Sequence, residues 1–408
     1  MNIVLLHYAA HPIVGGVEKV MRQHSRLLAE AGHRVRVIAG RGANVDPKVD
    51  FVSVPLLDSQ APEVLALKPE LDAGTVPPGF EQLSSEIELR LRELFVDTDW
   101  VLAHNVCSLH KNLALTAALW RISQVQSAAR IALWHHDLAW TTPRYRPELH
   151  NGYPWDLLRI NWPRAVQVTI SKHRRHELAD LMKLPQERIL VIPNGIDVRE
   201  FLRISSETDA LVAACKLLDA APLILLPVRI TRRKNIEMAL RILARLRERH
   251  PQARLLITGP IGPHNKDNSG YLDSLLLLQR ELGLENSVVF LTLAAGKEVS
   301  DAVISDLYRL ADVLLLPSKE EGFGIPILEA GLAGIPAFCS DIQPLRELGG
   351  EDVLYFPPDG DPARIAEQIG GALEASQLYP LRKRVLREYA WSSIYTEHLM
   401  PLLEGQKR

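Results

Sequence analysis

Short apolar runs that end in polar or glycine-bearing loops, each followed by residues at helical spacing, recur along this chain and restart once near its middle. Strand and helix taken in turn leave few folds open, because such a chain builds a parallel sheet wrapped by helices. Asn2 to Tyr8 is the first run; it ends in a loop with Gly15-Gly16, after which Val17, Val20, Met21, Leu27 and Leu28 recur at a helical period. Gly32 stops that helix, and Val35 to Ala39 opens the next strand, a βαβ unit of the length parallel pairing requires. Trp100 to His104, Ala129 to Trp134, Ala165 to Ile170 and Ile189 to Pro193 read as further strands. Residues 55 to 82, with Pro55, Pro62, Pro69, Pro77 and Pro78, read as an excursion around one short helix.

The turn Asn194-Gly195-Ile196-Asp197 leaves this first half, and the alternation then restarts. Strands are expected at Leu223 to Val228, Arg254 to Gly259, Ser287 to Leu291, Val313 to Pro317 and Pro336 to Cys339. Helices are expected at Asn235 to Arg249, Tyr271 to Leu282, Val299 to Arg309, Pro326 to Ala333 and Pro362 to Glu374. The expectation is therefore an α/β protein of two doubly wound parallel-sheet domains, 1–198 and 199–385, facing across a cleft. A last segment, 386–408 around Trp391, is read as a helix crossing back to the first domain. Ligands of such sheets bind at the carboxyl ends of the strands, so the site is sought there.

A chain of 408 residues accommodates two such domains, and 47% hydrophobic residues can fill their cores. Forty-seven Lys and Arg against 49 Asp and Glu give a net charge of -2, which provides no global basic field for nucleic acid. Cys107, Cys215 and Cys339 are far apart and form neither a disulfide framework nor a Cys-rich metal site, as expected of a reducing cytoplasm. The N-terminus reads as a strand rather than a leader, and no apolar stretch is long enough to span a bilayer. The basic run Lys172, Arg174, Arg175 with Lys183 is read as a solvated helix face or as a contact with a phosphorylated acceptor or with anionic lipid at the inner face of a membrane.

The segment with the most chemistry is EGFGIPILE, Glu321 to Glu329. It follows an apolar strand and opens a helix with Pro326 in the first turn, where proline is tolerated. Gly322 and Gly324 allow the backbone amides of Phe323, Gly324 and Ile325 to point at an anion on the helix N-terminus. Glu329, two helical turns on, can accept ribose hydroxyls, and Glu321 can take sugar hydroxyls. A phosphate cradle between two hydroxyl acceptors describes a nucleotide-sugar site; the plainer reading is a capping acid and a solvated helix face. Gly15-Gly16, between a first strand and a helix, reads as either a tight turn or a place where amides meet phosphate or sugar.

The two glutamates, eight residues apart in EGFGIPILEAGLAGIPAFCSD, are joined in order by GGVEKV, WHHD, VIPNGID, PVRITRRKNIEMAL, ITGP and YRLADVLLLPSKEEGFG. This set resembles the retaining glycosyltransferases of the family-4 type, the glycosyl transferases group 1, which have the GT-B fold. The resemblance covers essentially the whole chain except residues 55 to 95 and the insertion Ile261 to Gly270. It implies an N-terminal acceptor-side domain and a C-terminal nucleotide-sugar domain, and transfer of a hexose from a UDP- or GDP-linked sugar to a hydroxyl-bearing saccharide, lipid-linked or small-molecule acceptor.

The resemblance further gives Arg229 and Lys234 the role of binding the leaving pyrophosphate in place of a metal, and makes His136 the active-site histidine; the neighbouring Asp137 is read as its orienter. The expected catalytic set is His136, Arg229, Lys234 and Glu321; the donor-binding set is Gly15, Gly16, Arg229, Lys234, Phe323, Gly324, Ile325 and Glu329. His104, Asn105 and His135 are further candidates. Asp97-Thr98-Asp99 imitates a D-x-D metal motif but precedes its strand, away from the expected site, so no metal cofactor is expected. A GT-B sugar-nucleotide epimerase or a noncatalytic partner subunit would share much of this pattern, whereas a nicotinamide dehydrogenase is disfavoured by the lack of G-x-G-x-x-G in the first turn.

Overall fold

The computed structural model describes residues 1–125, 129–261 and 267–405. Positions 262–266 of the insertion Ile261 to Gly270 and positions 406–408 of the terminal segment lie outside the described residues. The chain forms two compact units, Met1–Gly195 with Tyr389–Arg408, and Ile196–Glu388.

The first unit holds seven strands: β1 (Asn2–Ala9), β2 (Arg34–Arg41), β3 (Val49–Ser53), β4 (Trp100–His104), β5 (Arg130–His135), β6 (Ala165–Thr169) and β7 (Ile189–Val191). All pair in parallel, in the order β3-β2-β1-β4-β5-β6-β7. Successive residues of a strand face opposite sides. Val4, Leu6 and Tyr8 of β1 accordingly enter one core while Ile3 and Leu5 enter another. A strand buried on both faces reads as a continuous apolar run, which is why β1 and β4 stand out in the sequence.

The second core also contains Trp391, Ile394, Leu399, Leu402 and Leu403 from the end of the chain. The indole of Trp100 donates to the Leu403 carbonyl at 3.2 Å. A Cβ on Gly195 would come within 2.7 Å of the Trp391 ring, so only glycine fits at that contact. This C-terminal segment is not one smooth helix: turns Trp391–Ile394 and Met400–Leu403 are separated by a widened turn, Tyr395–Leu399.

The second unit holds β8 (Leu223–Leu226), β9 (Arg254–Ile257), β10 (Val288–Phe290), β11 (Val313–Leu316), β12 (Ala337–Ser340) and β13 (Leu354–Phe356), parallel in the order β10-β9-β8-β11-β12-β13. This is the strand order of dinucleotide-binding sheets. Helix Ile236–Leu246 buries Ile236, Ala239, Leu240, Leu243 and Leu246, one face at helical period, against the core.

Three expectations change. Residues 55 to 82 do not wrap one short helix: two helices, Pro62–Asp72 and Gly79–Leu94, fill the region and extend past it. The edge strands β3 and β13 were not expected, because each has a single buried position to mark it.

Candidate active site

In the second unit the strand order reverses between β8 and β11, which pair directly through Val313 with Ile224 and Leu314 with Leu225. Loops leaving two such strands diverge and open a crevice at their carboxyl ends. The loop after β8 carries Arg229 to Lys234, and the loop after β11 carries Ser318 to Glu321. They are tied by main chain, the Lys319 amide donating to the Arg233 carbonyl at 2.8 Å.

The side chains meet as well. Lys234 forms an ion pair with Glu321, both nearly buried, and Ser318 Oγ donates to the same carboxylate oxygen at 2.8 Å. Arg233 lies 3.7 Å from the other oxygen. Arg229 is exposed and makes no ion pair among the described residues. Close approach at this crevice depends on Gly259, where a Cβ would fall 2.2 Å from the Val228 carbonyl oxygen.

Three residues beyond Glu321, Gly324 starts helix Ile325–Ala333 with φ of 105°, a left-handed conformation that favours glycine. Pro326 stands in the first turn, as expected. Phe323 and Ile325 are exposed beside it, so the chain at this helix start is open to a ligand. Glu329 lies on the same helix, and its Oε2 accepts a 2.6 Å hydrogen bond from the phenol of Tyr308 on helix Asp301–Leu310. Burial and this carboxylate push the Tyr308 phenol well above its ordinary range, so it remains a donor.

In the first unit the order reverses between β1 and β4. Gly15 and Gly16 follow β1 and start helix Gly16–Glu30, with Gly15 as the extended cap. The Glu18 carboxylate lies over Gly15, within 2.0 Å of where a Cβ would stand, and 3.9 Å from His7 Nε2. His104 closes β4, His135 closes β5, and His136 follows it. Asn105 adopts φ of 60°, and its Oδ1 accepts the amides of both His136 and Asp137 at 3.0 Å. Asp137 turns to Asn105 Nδ2 at 3.3 Å and to Arg174 at 3.7 Å, not to the His136 ring. The partner of that ring is His104, whose Nδ1 is 3.1 Å from His136 Nε2. The expectation that Asp137 orients His136 is therefore corrected: Asn105 competes for the carboxylate.

Burial pushes the His136 imidazole down to about 3, helped by neighbouring His24, His7 and His135. Burial likewise takes His24 to about 3 and His7 and His135 to about 4. His135 points elsewhere, donating to Gln167 at 2.8 Å. His7 and His24 were missed by sequence reasoning; the only signal was a polar residue at an apolar position of a strand and of a helix.

Asp99 accepts the Asn2 amide at 2.7 Å, a structural role at the opposite ends of these strands. Among the described residues one trio, Asp72, His110 and Glu148, has metal-ligand spacing. The ammonium of Lys68 already occupies it, 2.7 Å from Asp72 and 3.3 Å from Glu148. Cys107 and Cys339 are buried packing thiols. No helix among the described residues is long and apolar enough to cross a membrane.

Residues 214–390 match the family described as Glycosyl transferases group 1, and residues 14–200 match Glycosyltransferase Family 4. The two matches coincide with the two parallel-sheet units, and together they make the chain a glycosyltransferase of the GT-B fold. It belongs to the group 1 glycosyltransferases. The chain is similar to an uncharacterised glycosyltransferase of Methanocaldococcus jannaschii, 31% identical over 56% of this chain and 57% of that protein. Similarity to a glycogen synthase of Mycobacterium tuberculosis, at 26% identity, runs over 97% of this chain and 93% of that one. An MMP alpha-(1->4)-mannosyltransferase of Mycolicibacterium hassiacum is 25% identical over 97% and 96%.

Proposed function

We propose that this protein is a retaining, metal-independent hexosyltransferase that takes its sugar from a UDP- or GDP-linked donor and passes it to an acceptor hydroxyl. The observation that carries the reading is the meeting of Lys234 with Glu321 beside the Gly324 helix start, where the second sheet reverses its strand order.

A nucleoside diphosphate leaving group needs fixed positive charge where its oxygens accumulate negative charge. Lys234, Arg229 and the amides at Phe323, Gly324 and Ile325 supply it, doing what a divalent cation does elsewhere. Glu321 holds Lys234 extended before the donor arrives and accepts sugar hydroxyls once the ammonium turns to the diphosphate. Glu329, held by Tyr308, accepts ribose hydroxyls. In the first unit, Gly15-Gly16 leaves backbone close to the ligand and His136 contributes a ring nitrogen.

In the step itself the bond from the anomeric carbon to the phosphate oxygen breaks as the acceptor oxygen bonds to the same face. The acceptor proton passes to the departing diphosphate. This same-face route is the one the family resemblance implies. The setting of the reading is the cytoplasm, with the helix Lys172–Met182 as the surface offered to a membrane-borne acceptor.

The experiment is NMR of the reaction mixture. Transfer with the donor's anomeric configuration preserved supports the reading. Inversion refutes the retaining step. Conversion of the donor to its epimer without transfer would instead favour the epimerase, and a chain that binds donor but turns over none would be a partner subunit.

A further inference from the structure

His104 and His136 share one hydrogen bond, Nδ1 to Nε2 at 3.1 Å, inside a pocket built almost wholly of rings. The His104 ring stacks on Trp134 at 5.1 Å and lies 5.5 Å from the ring of His24, which in turn meets Trp134 and Trp391 edge-on. His104 is wholly buried, and its Nε2 has no hydrogen-bond partner. Its main-chain carbonyl accepts from His7 Nδ1 at 2.7 Å, which fixes the end of β4. The His136 amide is fixed in turn by Asn105 Oδ1. Both ends of the pair are anchored, so the ring-to-ring bond has little freedom.

Two neutral imidazoles sharing a bond place one proton in it, and each ring carries exactly one N–H. If His136 Nε2–H were the donor, neutral His104 would carry its own proton on Nε2 and bury an N–H with nothing to accept it. If His104 Nδ1–H is the donor, only a lone pair at His104 Nε2 goes unmet. An orphaned buried donor is the rarer and costlier of the two faults.

From this we infer that His104 holds His136 as the neutral Nδ1–H tautomer, which makes His136 a hydrogen-bond donor to its ligand rather than a proton-accepting base. The inference rests on the reading of His136 as an active-site residue for its functional half only; the tautomer follows from the pocket alone. His7, His24 and His135 are themselves buried, and the adjoining carboxylate in the chain, Asp137, is engaged by Asn105 and Arg174. Histidine bases are ordinarily steadied by a carboxylate that stabilises the imidazolium, and the His136 ring has a second imidazole in that place. A neutral N–H donor suits a sugar hydroxyl or a phosphate oxygen, neither of which has to lose a proton to this ring. His104 is on this account a positioning residue.

The test is long-range nitrogen–proton correlation NMR on the full chain with labelled histidine. The His136 signals are identified by their loss in His136→Asn. The unaltered protein at neutral pH should give the Nδ1–H pattern at His136, a measurement that needs no folded variant. His104→Phe, which keeps a ring in the aromatic pocket, should replace that single pattern by a mixture of tautomers. An Nε2–H or imidazolium pattern in the unaltered protein, or an unchanged pattern in His104→Phe, overturns the inference. If the tautomer is as expected but His136→Asn transfers sugar at the original rate, the positioning stands and the placing of His136 in the active site fails.

Discussion

The phenol of Tyr308 donates to Glu329 Oε2 across 2.6 Å, joining helix Asp301–Leu310 to the helix that begins at Gly324. One carboxylate oxygen of Glu329 is thereby engaged and the other is aimed. If that second oxygen accepts from ribose, Tyr308→Phe should weaken binding of a ribonucleoside diphosphate by about 1 kcal/mol, roughly fivefold, through loss of one hydrogen bond's worth of orientation. Binding of the 2′-deoxy and 3′-deoxy analogues, measured by calorimetry alongside, should show a smaller preference for ribose in the variant. Equal losses for ribose and deoxyribose ligands would remove Glu329 from the ribose site.

Arg229 and Lys234 should separate in their effects on stability while agreeing in their effects on binding. Each change to alanine should weaken donor binding by about 1.5–3 kcal/mol, the worth of a charge-assisted contact. Arg229 is exposed and makes no ion pair among the described residues, so Arg229→Ala should melt at the original temperature. Lys234→Ala strands the Glu321 carboxylate and should lower stability by about 1–3 kcal/mol, with part of the loss restored by adding Glu321→Gln. Thermal melts of the three variants check this, and a stable Lys234→Ala would contradict it.

The buried histidines give the first unit a pH dependence with a definite sign. His24 and His136 titrate at about 3 and His7 and His135 at about 4 in the folded chain, against an ordinary value of 6.5. Folded values that are depressed mean that the unfolded chain binds more protons. Their contribution is complete above about pH 6.5 and declines as pH falls toward 4 and then 3, by about 1.4 kcal/mol per pH unit for each histidine that stays neutral when folded. Denaturation midpoints measured from pH 7.5 to 4.5 should fall steadily below 6.5, and His24→Phe should flatten the slope. A midpoint constant between pH 6.5 and 5 would contradict the burial of these rings.

Trp391 packs against Gly195 and edge-on to His24, in the core that also holds Ile394 and Leu402. Trp391→Ala should destabilise the first unit by about 3–5 kcal/mol, as removal of a buried large aromatic does. Truncation after Glu388 should expose the same apolar surface and cause aggregation. A truncated chain that stayed monomeric and fully active would show that this packing is dispensable.

Much of this was readable in advance, for a physical reason. Trp100 to His104 is buried on both faces, so its apolar run and its polar boundary coincide with the strand. β3, with mostly part-exposed residues, lacks that contrast and passed unnoticed. Lys234 and Glu321 were legible as separate motifs. Their contact follows from the pairing of β8 with β11, which no local pattern contains. The pair His104 and His136 was harder still, because it depends on Asn105 holding a left-handed turn and drawing Asp137 away.

The central claim is that fixed protein charge, without a metal, binds a nucleoside diphosphate in the second unit. The direct measurement is the melting temperature of the full chain with UDP, GDP or ADP in excess EDTA, since a ligand that binds only the folded state raises it. At least one of the three should raise the melting temperature, and the Arg229→Ala, Lys234→Ala double variant should lose that rise. No rise with any of them, or a rise that appears only when magnesium or manganese is restored, would contradict the account.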